Sequence, residues 1–361
     1  MATKSKMSNP LTHKPRVVVH YIPAGHLNQI YDGFGRLAKA GLVDLSIVNE
    51  TGNPLKGWTY VDIDDKRVVY DCMDGLIWLD DTEEANLQYL QTEINCDFYF
   101  KRSYTPDLLD YLPDGCKMFP LGLNYSYCPY GPWGGIRNRI KVCLLQNRLV
   151  ECFHGKKIFK LSDFEYPPIM HQRHQILFLA RLWDPLELND SANAEWIRTL
   201  NQLNAFRMEC VERLRKEFGE NFIGGIERSA YSVQHCPKEL LVPSYMTNRN
   251  NFLLLVKESD ICIATTGLHN SIGWKLAEYV AASRAIISEP LCYQLPGNFV
   301  DGHNYLSASS VDSVIERVHM LVEDECLLQK MQLANHSYYE NYVRSNQMVL
   351  NTLKIIEESN K

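Results

Sequence analysis

No stretch of this 361-residue chain approaches the roughly 20 consecutive apolar residues that a membrane-spanning helix needs, so the expectation is a soluble or at most peripheral protein. Its eleven cysteines contain no CxxC or CxxxC pair, which removes the usual zinc frameworks. They are odd in number and scattered, and no apolar signal segment follows the basic start, so reduced thiols and a cytoplasmic setting are expected. The phosphate-loop pattern GxxxxGK[ST], the nucleophile elbow GxSxG and the metalloprotease pattern HExxH are all absent. A nicotinamide-binding fold needs GxGxxG directly after its first strand, whereas the loop after VVVHYI offers only Gly25, with Gly33 and Gly35 deep in the following helix. Two acids one residue apart occur at Asp62-Ile63-Asp64 and Asp163-Phe164-Glu165, a spacing common by chance, and no metal is expected. The net charge of −6 gives no field to gather nucleic acid.

What the chain does have is the composition of an ordinary globular protein, 45% hydrophobic and 22% charged, at a length that predicts two domains. The pattern is α/β in both halves. Residues 1–15 read as a disordered lead-in, 16–164 as a first domain, 165–175 (EYPPIMHQRHQ) as the linker, 176–336 as a second domain and 337–361 as a closing helix. In the first half, VVVHYI, LSIVN, VVYDC and CDFYF read as strands, with a helix over Glu83 to Glu93. IRNRIKVCLLQNRLVECF reads as a further helix carrying Arg137, Arg139, Lys141 and Arg148, followed by Lys156, Lys157 and Lys160. That basic face is either simply solvated or a contact for anionic lipid.

The densest signal is ICIATTGLHNSIGWKLAEYVAASRAIISEP, Ile261 to Pro290. It reads as strand, polar glycine loop, helix, strand. In an open parallel sheet, ligands sit where such loops leave the carboxyl ends of strands, and a helix beginning there offers unpaired N–H groups and the positive end of its dipole to a phosphate. Lys275 and Glu278 lie just inside that helix. They are either a nucleotide's diphosphate and ribose ligands or an ordinary solvated pair three residues apart.

This segment resembles the donor-site motif of GT-B nucleotide-sugar glycosyltransferases, in particular the retaining group 1, family-4-like enzymes, whose pattern is an acid, seven residues and a glutamate. Glu278 matches the second acid; the first position is Asn270, beside His269, a departure from the pattern. Residues 296–306, PGNFVDGHNYL, resemble the loop that follows. The resemblance implies two doubly wound, Rossmann-like domains facing across a cleft, with the first on the acceptor side and a C-terminal helix returning to it. By pattern alone, that last segment is equally an ordinary packing helix.

The resemblance also implies donor contacts from Gly25, Arg181, Gly267, Leu268, His269, Ser271, Ile272, Lys275 and Glu278, and catalytic positions at His26, Arg102 and Asn270. Lys101, Tyr104 and Tyr125 would face the acceptor, unless the strand tip at 101–104 is an exposed basic turn and the tyrosines only anchor their loop. No cofactor is expected. The partners are a nucleoside-diphosphate sugar and a glycan or lipid-linked hydroxyl acceptor. A nucleotide-sugar epimerase and a non-catalytic binding protein of the same fold stand as the alternatives.

Overall fold

The computed structural model describes residues 11–50, 57–79, 82–134, 158–186 and 194–359. Two sheets organise it. The first runs β2 (Asp44–Asn49), β1 (Arg16–Tyr21), β3 (Trp58–Ile63), β4 (Lys66–Asp71), β5 (Phe98–Lys101), β6 (Lys117–Pro120). The second runs β11 (Leu306–Ser307), β10 (Ala285–Ser288), β9 (Ile261–Ala264), β7 (Ile176–Ala180), β8 (Phe222–Ile226). The second is parallel throughout. In the first, β3 runs antiparallel to both neighbours; its pairing with β4 follows from the tight turn through Asp64 and Asp65, with Asp64 at φ 55°. A two-residue turn can join only antiparallel strands. This is the pair of Rossmann-like α/β units that the GT-B resemblance implies.

The buried faces explain the strands. β7, ILFLA, is buried at every residue, as a central parallel strand covered by helices on both faces must be. α1 (Asn28–Lys39) and α2 (Glu83–Glu93) belong to the first sheet. α3 (Ala194–Phe218), α4 (Ala230–His235), α5 (Ser244–Thr247), α6 (Arg249–Glu258), α7 (Trp274–Ala281), α8 (Val311–Glu323) and α9 (Glu325–Tyr338) belong to the second half.

The last helix, α10 (Ser345–Ser359), crosses back and lies on α1. A π-turn over Tyr339–Val343 redirects the chain between α9 and α10. Met348, Val349, Leu350, Leu353 and Ile356 complete the core that Val17, Ile30, Phe34 and Phe100 begin. Ser345 Oγ and Thr352 Oγ1 meet Asp32 and Tyr70, the latter at 2.6 Å. Gly33 allows this crossing: a Cβ there would lie 2.4 Å from the Ser345 carbonyl and from Val349. Gly35 is likewise pressed against the Tyr130 carbonyl, so both helix glycines serve packing.

The lead-in reading gives way at Leu11. That residue is buried, the Thr12 N–H donates to Glu357 at 2.8 Å, and His13 meets Asp64 at 2.7 Å. The segment 165–175 is fixed rather than loose: Arg284, fully buried, donates to the carbonyls of Pro167 and Ile169, and His171 and His174 each place Nδ1 2.9 Å from the buried Asp260 carboxylate. Residues 137–157 of the expected basic face lie outside the described residues. Among the described residues no helix is long and apolar enough to cross a membrane.

Candidate functional site

In the second sheet the strand order reverses between β7 and β9, which opens a crevice at their carboxyl ends. Arg181 follows β7, Glu227 follows β8, the loop Thr265–Gly273 follows β9 and Glu289 follows β10. The loop is drawn tight. The Gly267 N–H donates to the Ser271 carbonyl at 2.8 Å, and the Ser271 N–H to that of Leu268 at 3.0 Å. His269 and Asn270 both take left-handed φ, 55° and 54°. That geometry is costly for residues with a side chain, and such strain is concentrated at functional sites. α7 then starts from Gly273 with no side-chain cap. Its first turn therefore keeps its dipole charge uncompensated by a capping side chain.

Beneath the loop lies a residue that no motif in the sequence marks. Arg207, on α3, is buried and donates to the Arg181 carbonyl (2.6 Å), the Thr266 carbonyl (2.9 Å) and the Thr265 hydroxyl (3.1 Å). It ties the tips of β7 and β9 together. Burial pushes its pKa down to about 10. A signal existed: Leu200, Asn204, Arg207, Cys210, Val211 and Leu214 form the buried stripe of α3, and a charged residue inside such a stripe calls for a partner.

Lys275 is the second cation at this spot. Its Nζ donates to the Leu179 carbonyl, at the end of β7, and stands 5.5 Å from the Phe252 ring. Burial, then the charge of Arg207, lowers its pKa to about 8. Glu278 is not its partner. That carboxylate is 1% exposed and is gripped on both oxygens by Arg249 of α6, at 2.5 and 3.0 Å. Burial raises its pKa against the pull of Arg249. The solvated Lys275–Glu278 pair is thus replaced by a buried carboxylate with an arginine fork and a lysine held by a carbonyl. Lys275, Arg249, Glu227 and Thr247 line a cavity of about 100 Å³.

On the other side of the loop, Gly267, Leu268, His269, Asn270 and Glu289 face α3 across a cavity of about 450 Å³, a size that admits a small ligand. Glu289 accepts from the Thr266 N–H at 2.7 Å and from its hydroxyl at 3.0 Å. Ser271 and Ile272 are buried, and Arg181 is exposed with its guanidinium 4.7 Å from the Trp183 ring.

The first domain meets this loop directly. Arg102 is 4% exposed; it donates to Asp74 at 2.5 Å and to the carbonyl of Ile272 in the other domain. Gly75 allows close approach, since a Cβ there would lie 2.8 Å from that of His269. Tyr293 donates to the His269 carbonyl at 2.8 Å, and the Gln294 N–H to that of Tyr104 at 3.0 Å. His26, beside Gly25 in the turn after β1, sets its ring 5.0 Å from that of Trp274. Its Nδ1 is buried without a hydrogen-bond partner among the described residues. Burial, then Arg102, lowers its pKa, so the ring is neutral near pH 7.

Three expected acceptor-side residues are corrected. Lys101 is fully buried and bonded to Asp71 at 2.9 Å, an oxygen that also accepts from Tyr99 and Trp78. Tyr125 is fully buried, its hydroxyl 3.3 Å from that of Tyr339. Tyr104 is 8% exposed and packs with Trp78 and Leu108. Lys101 is held inside by the Asp71 carboxylate and Tyr125 by the Tyr339 hydroxyl, partners far away in sequence. Among the described residues no group of three His, Cys, Asp or Glu side chains converges as a metal site would.

No family model matches the sequence, and no curated protein matches it. Solved structures similar to the chain include the C-terminal domain of a group 1 glycosyl transferase family protein from Francisella tularensis (14% identity, 52% of this chain, 98% of that one, TM-score 0.35). Another is a glycosyltransferase from Rickettsia africae (13%, 96% and 98%, 0.36). A third is HepE from Anabaena, crystallised with UDP-glucose (8%, 76% and 68%, 0.38). With these scores below 0.5 the likenesses carry no argument of their own, and the functional reading rests on this chain's residues.

Proposed function

We propose that this chain is a glycosyltransferase of the GT-B kind. It transfers a sugar from a nucleoside-diphosphate sugar to a hydroxyl of a glycan or lipid-linked acceptor, with retention and without a metal. One observation carries the reading: the half-buried Lys275 and the buried Arg207 converge at the carboxyl ends of β7 and β9, and their hydrogen bonds go to carbonyl and hydroxyl oxygens rather than to carboxylates. A desolvated charge with no carboxylate bonded directly to it is expensive, and Glu227 and Glu278 near Lys275 and Glu289 near Arg207 offset only part of that cost. An anion bound beside the start of α7 relieves that expense, and a diphosphate is the anion that a leaving nucleotide supplies. As the donor bond breaks, the negative charge growing on the diphosphate is met by groups already in place.

The other site residues take roles consistent with this. Arg249 holds, in the free protein, the carboxylate that the donor's ribose would share in the complex. Asn270 lines the roughly 450 Å³ cavity that gives the sugar room on the second-domain side, and neutral His26 stands against Trp274 on the first-domain side. Nucleotide-sugar and sugar ligands accompany some of the similar structures, as in HepE with UDP, UDP-glucose and glucose.

The test is calorimetric titration with UDP, GDP and dTDP, and with the matching nucleosides, against wild type and Lys275→Ala. Weakened diphosphate binding with nucleoside binding unchanged supports the reading. Absence of binding by every diphosphate overturns it. Glu278→Gln should raise the donor KM; unchanged donor affinity with a lower melting temperature would assign Glu278 to the fold alone. Transfer that survives EDTA supports the metal-independent reading. The non-catalytic alternative draws on Asn270 in place of an acid and on the direct Arg102–Ile272 bridge across the domains. Donor binding with no sugar transfer or donor hydrolysis would favour it. Turnover of donor sugar without any acceptor would favour an epimerase.

A further inference from the structure

At the end of the first sheet remote from these loops, the amino ends of β5 and β6 bring two thiols together. Phe98 of β5 pairs with Lys117 of β6, and the Lys117 N–H donates to the Asp97 carbonyl at 3.0 Å. Cys96 and Cys116 stand immediately before this paired region, with their sulfurs 3.5 Å apart. Both pack with Tyr99, Met118 and Leu90 on one face of the sheet. A disulfide has its sulfurs about 2.05 Å apart, so bond formation asks only a small rotation of two side chains already in contact. None of the donor-site residues lies in this cluster.

We propose that Cys96 and Cys116 are a reversible thiol–disulfide pair, oxidised by a low-molecular-weight disulfide of the glutathione type. Cys116 is half-buried and Cys96 buried, so Cys116 is the sulfur that reagent reaches first. The hydrogen bond between them lowers the Cys116 pKa and raises that of Cys96, which makes Cys116 the readier thiolate. Its thiolate attacks one sulfur of the reagent. The reagent's S–S bond breaks, a mixed disulfide forms on Cys116 and one thiolate leaves. Cys96 then gives up its proton to solvent and attacks the Cys116 sulfur, expelling the second thiolate. Two protein thiols are oxidised to one disulfide, and one reagent disulfide is reduced to two thiols. The closed loop contains Lys101, Arg102 and Tyr104, so the bridge constrains the segment that reaches across to the second domain.

The experiment treats the intact protein with oxidised glutathione, then maps peptides without reduction and records the melting temperature before and after dithiothreitol. The expected result is a peptide pair joined through Cys96 and Cys116, reopened by dithiothreitol. Closing a loop of this length should raise the melting temperature by about 5 °C. Cys116→Ser should lose both the bridged pair and the thermal shift. If that variant fails to fold, Cys96→Ala takes its place. Recovery of both residues as free thiols, or of a stable glutathione adduct on Cys116 with no bridge, overturns the proposal.

Discussion

Lys101 and Lys275 are both lysines at the end of the strand-rich core of their domain, and the structure treats them in opposite ways. Lys101 ends a strand, is fully buried, and meets a carboxylate, Asp71, at 2.9 Å under the face of Trp78. Lys275 opens a helix, points at a carbonyl, and has its pKa pulled down to about 8 by desolvation and by the buried Arg207 beside it. The first arrangement is closed: charge is matched inside the protein. The second is open, and an anion from outside would complete it. What separates a structural lysine from a binding lysine here is the nearest acceptor together with access, since Lys101 is fully buried and Lys275 only half-buried.

The largest effect should come from breaking the closed pair. Lys101→Met leaves Asp71 uncompensated in the core and should destabilise the protein by about 3–5 kcal/mol, read by chemical denaturation. A loss below about 1 kcal/mol would show that Asp71 does not depend on the lysine, and the contrast would fail.

Lys275→Met should do the reverse. The ordinary lysine pKa of 10.5 falls to about 8 in the folded chain. The folded state therefore binds fewer protons than the unfolded one between those values, and stability rises with pH across that window. Below pH 8 the charged form carries its full cost. At pH 7 the variant should thus be equal to wild type or more stable, by on the order of 1 kcal/mol after the lost hydrogen bond is counted, while diphosphate affinity drops about tenfold or more, a loss of roughly 1.4 kcal/mol. Denaturation and calorimetry on one preparation check both.

The same lysine sets a pH profile. A bound diphosphate raises its pKa, so binding takes up a proton above pH 8. Affinity should be full below pH 8 and fall by up to about tenfold per unit above it. Lys275→Arg, charged throughout, should flatten the slope. A wild-type profile that is flat from pH 7 to 9 would remove Lys275 from the anion site. The smallest effect belongs to Arg181, which is exposed: Arg181→Ala should leave stability within about 0.5 kcal/mol and weaken diphosphate binding a few-fold in the same titration.

Local pattern made much of this legible. The strand, loop and helix from Ile261 to Ala281 could be read because the whole unit is contiguous, and β7 could be read because a fully buried strand is a run of apolar residues. The reversal of β3 could have been read from the Asp64–Asp65 turn. The partnerships could not. Arg102 bonds a carbonyl 170 residues away, Arg249 grips Glu278 across 29 residues, and Asp71 finds Lys101 across 30. Periodicity tells which way a side chain faces and nothing about what stands opposite. Hence Glu278 is legible as a residue of interest while the fork that holds it is not, and Lys101 reads as an acceptor-facing residue while the Asp71 that buries it stays hidden.

The path of α10 has a consequence for how the protein is made. Its apolar face fills the core of the first domain, yet it leaves the ribosome only after the whole of the second domain. The first domain must wait, with the groove along α1 uncovered around Gly33, until the second domain has been synthesised. Folding from the amino end outward, the ordinary order for a two-domain chain, cannot finish here. The two halves are expected to be completed together, and a chain cut after Tyr338 should leave the first domain sticky and incomplete even though every one of its strands is present.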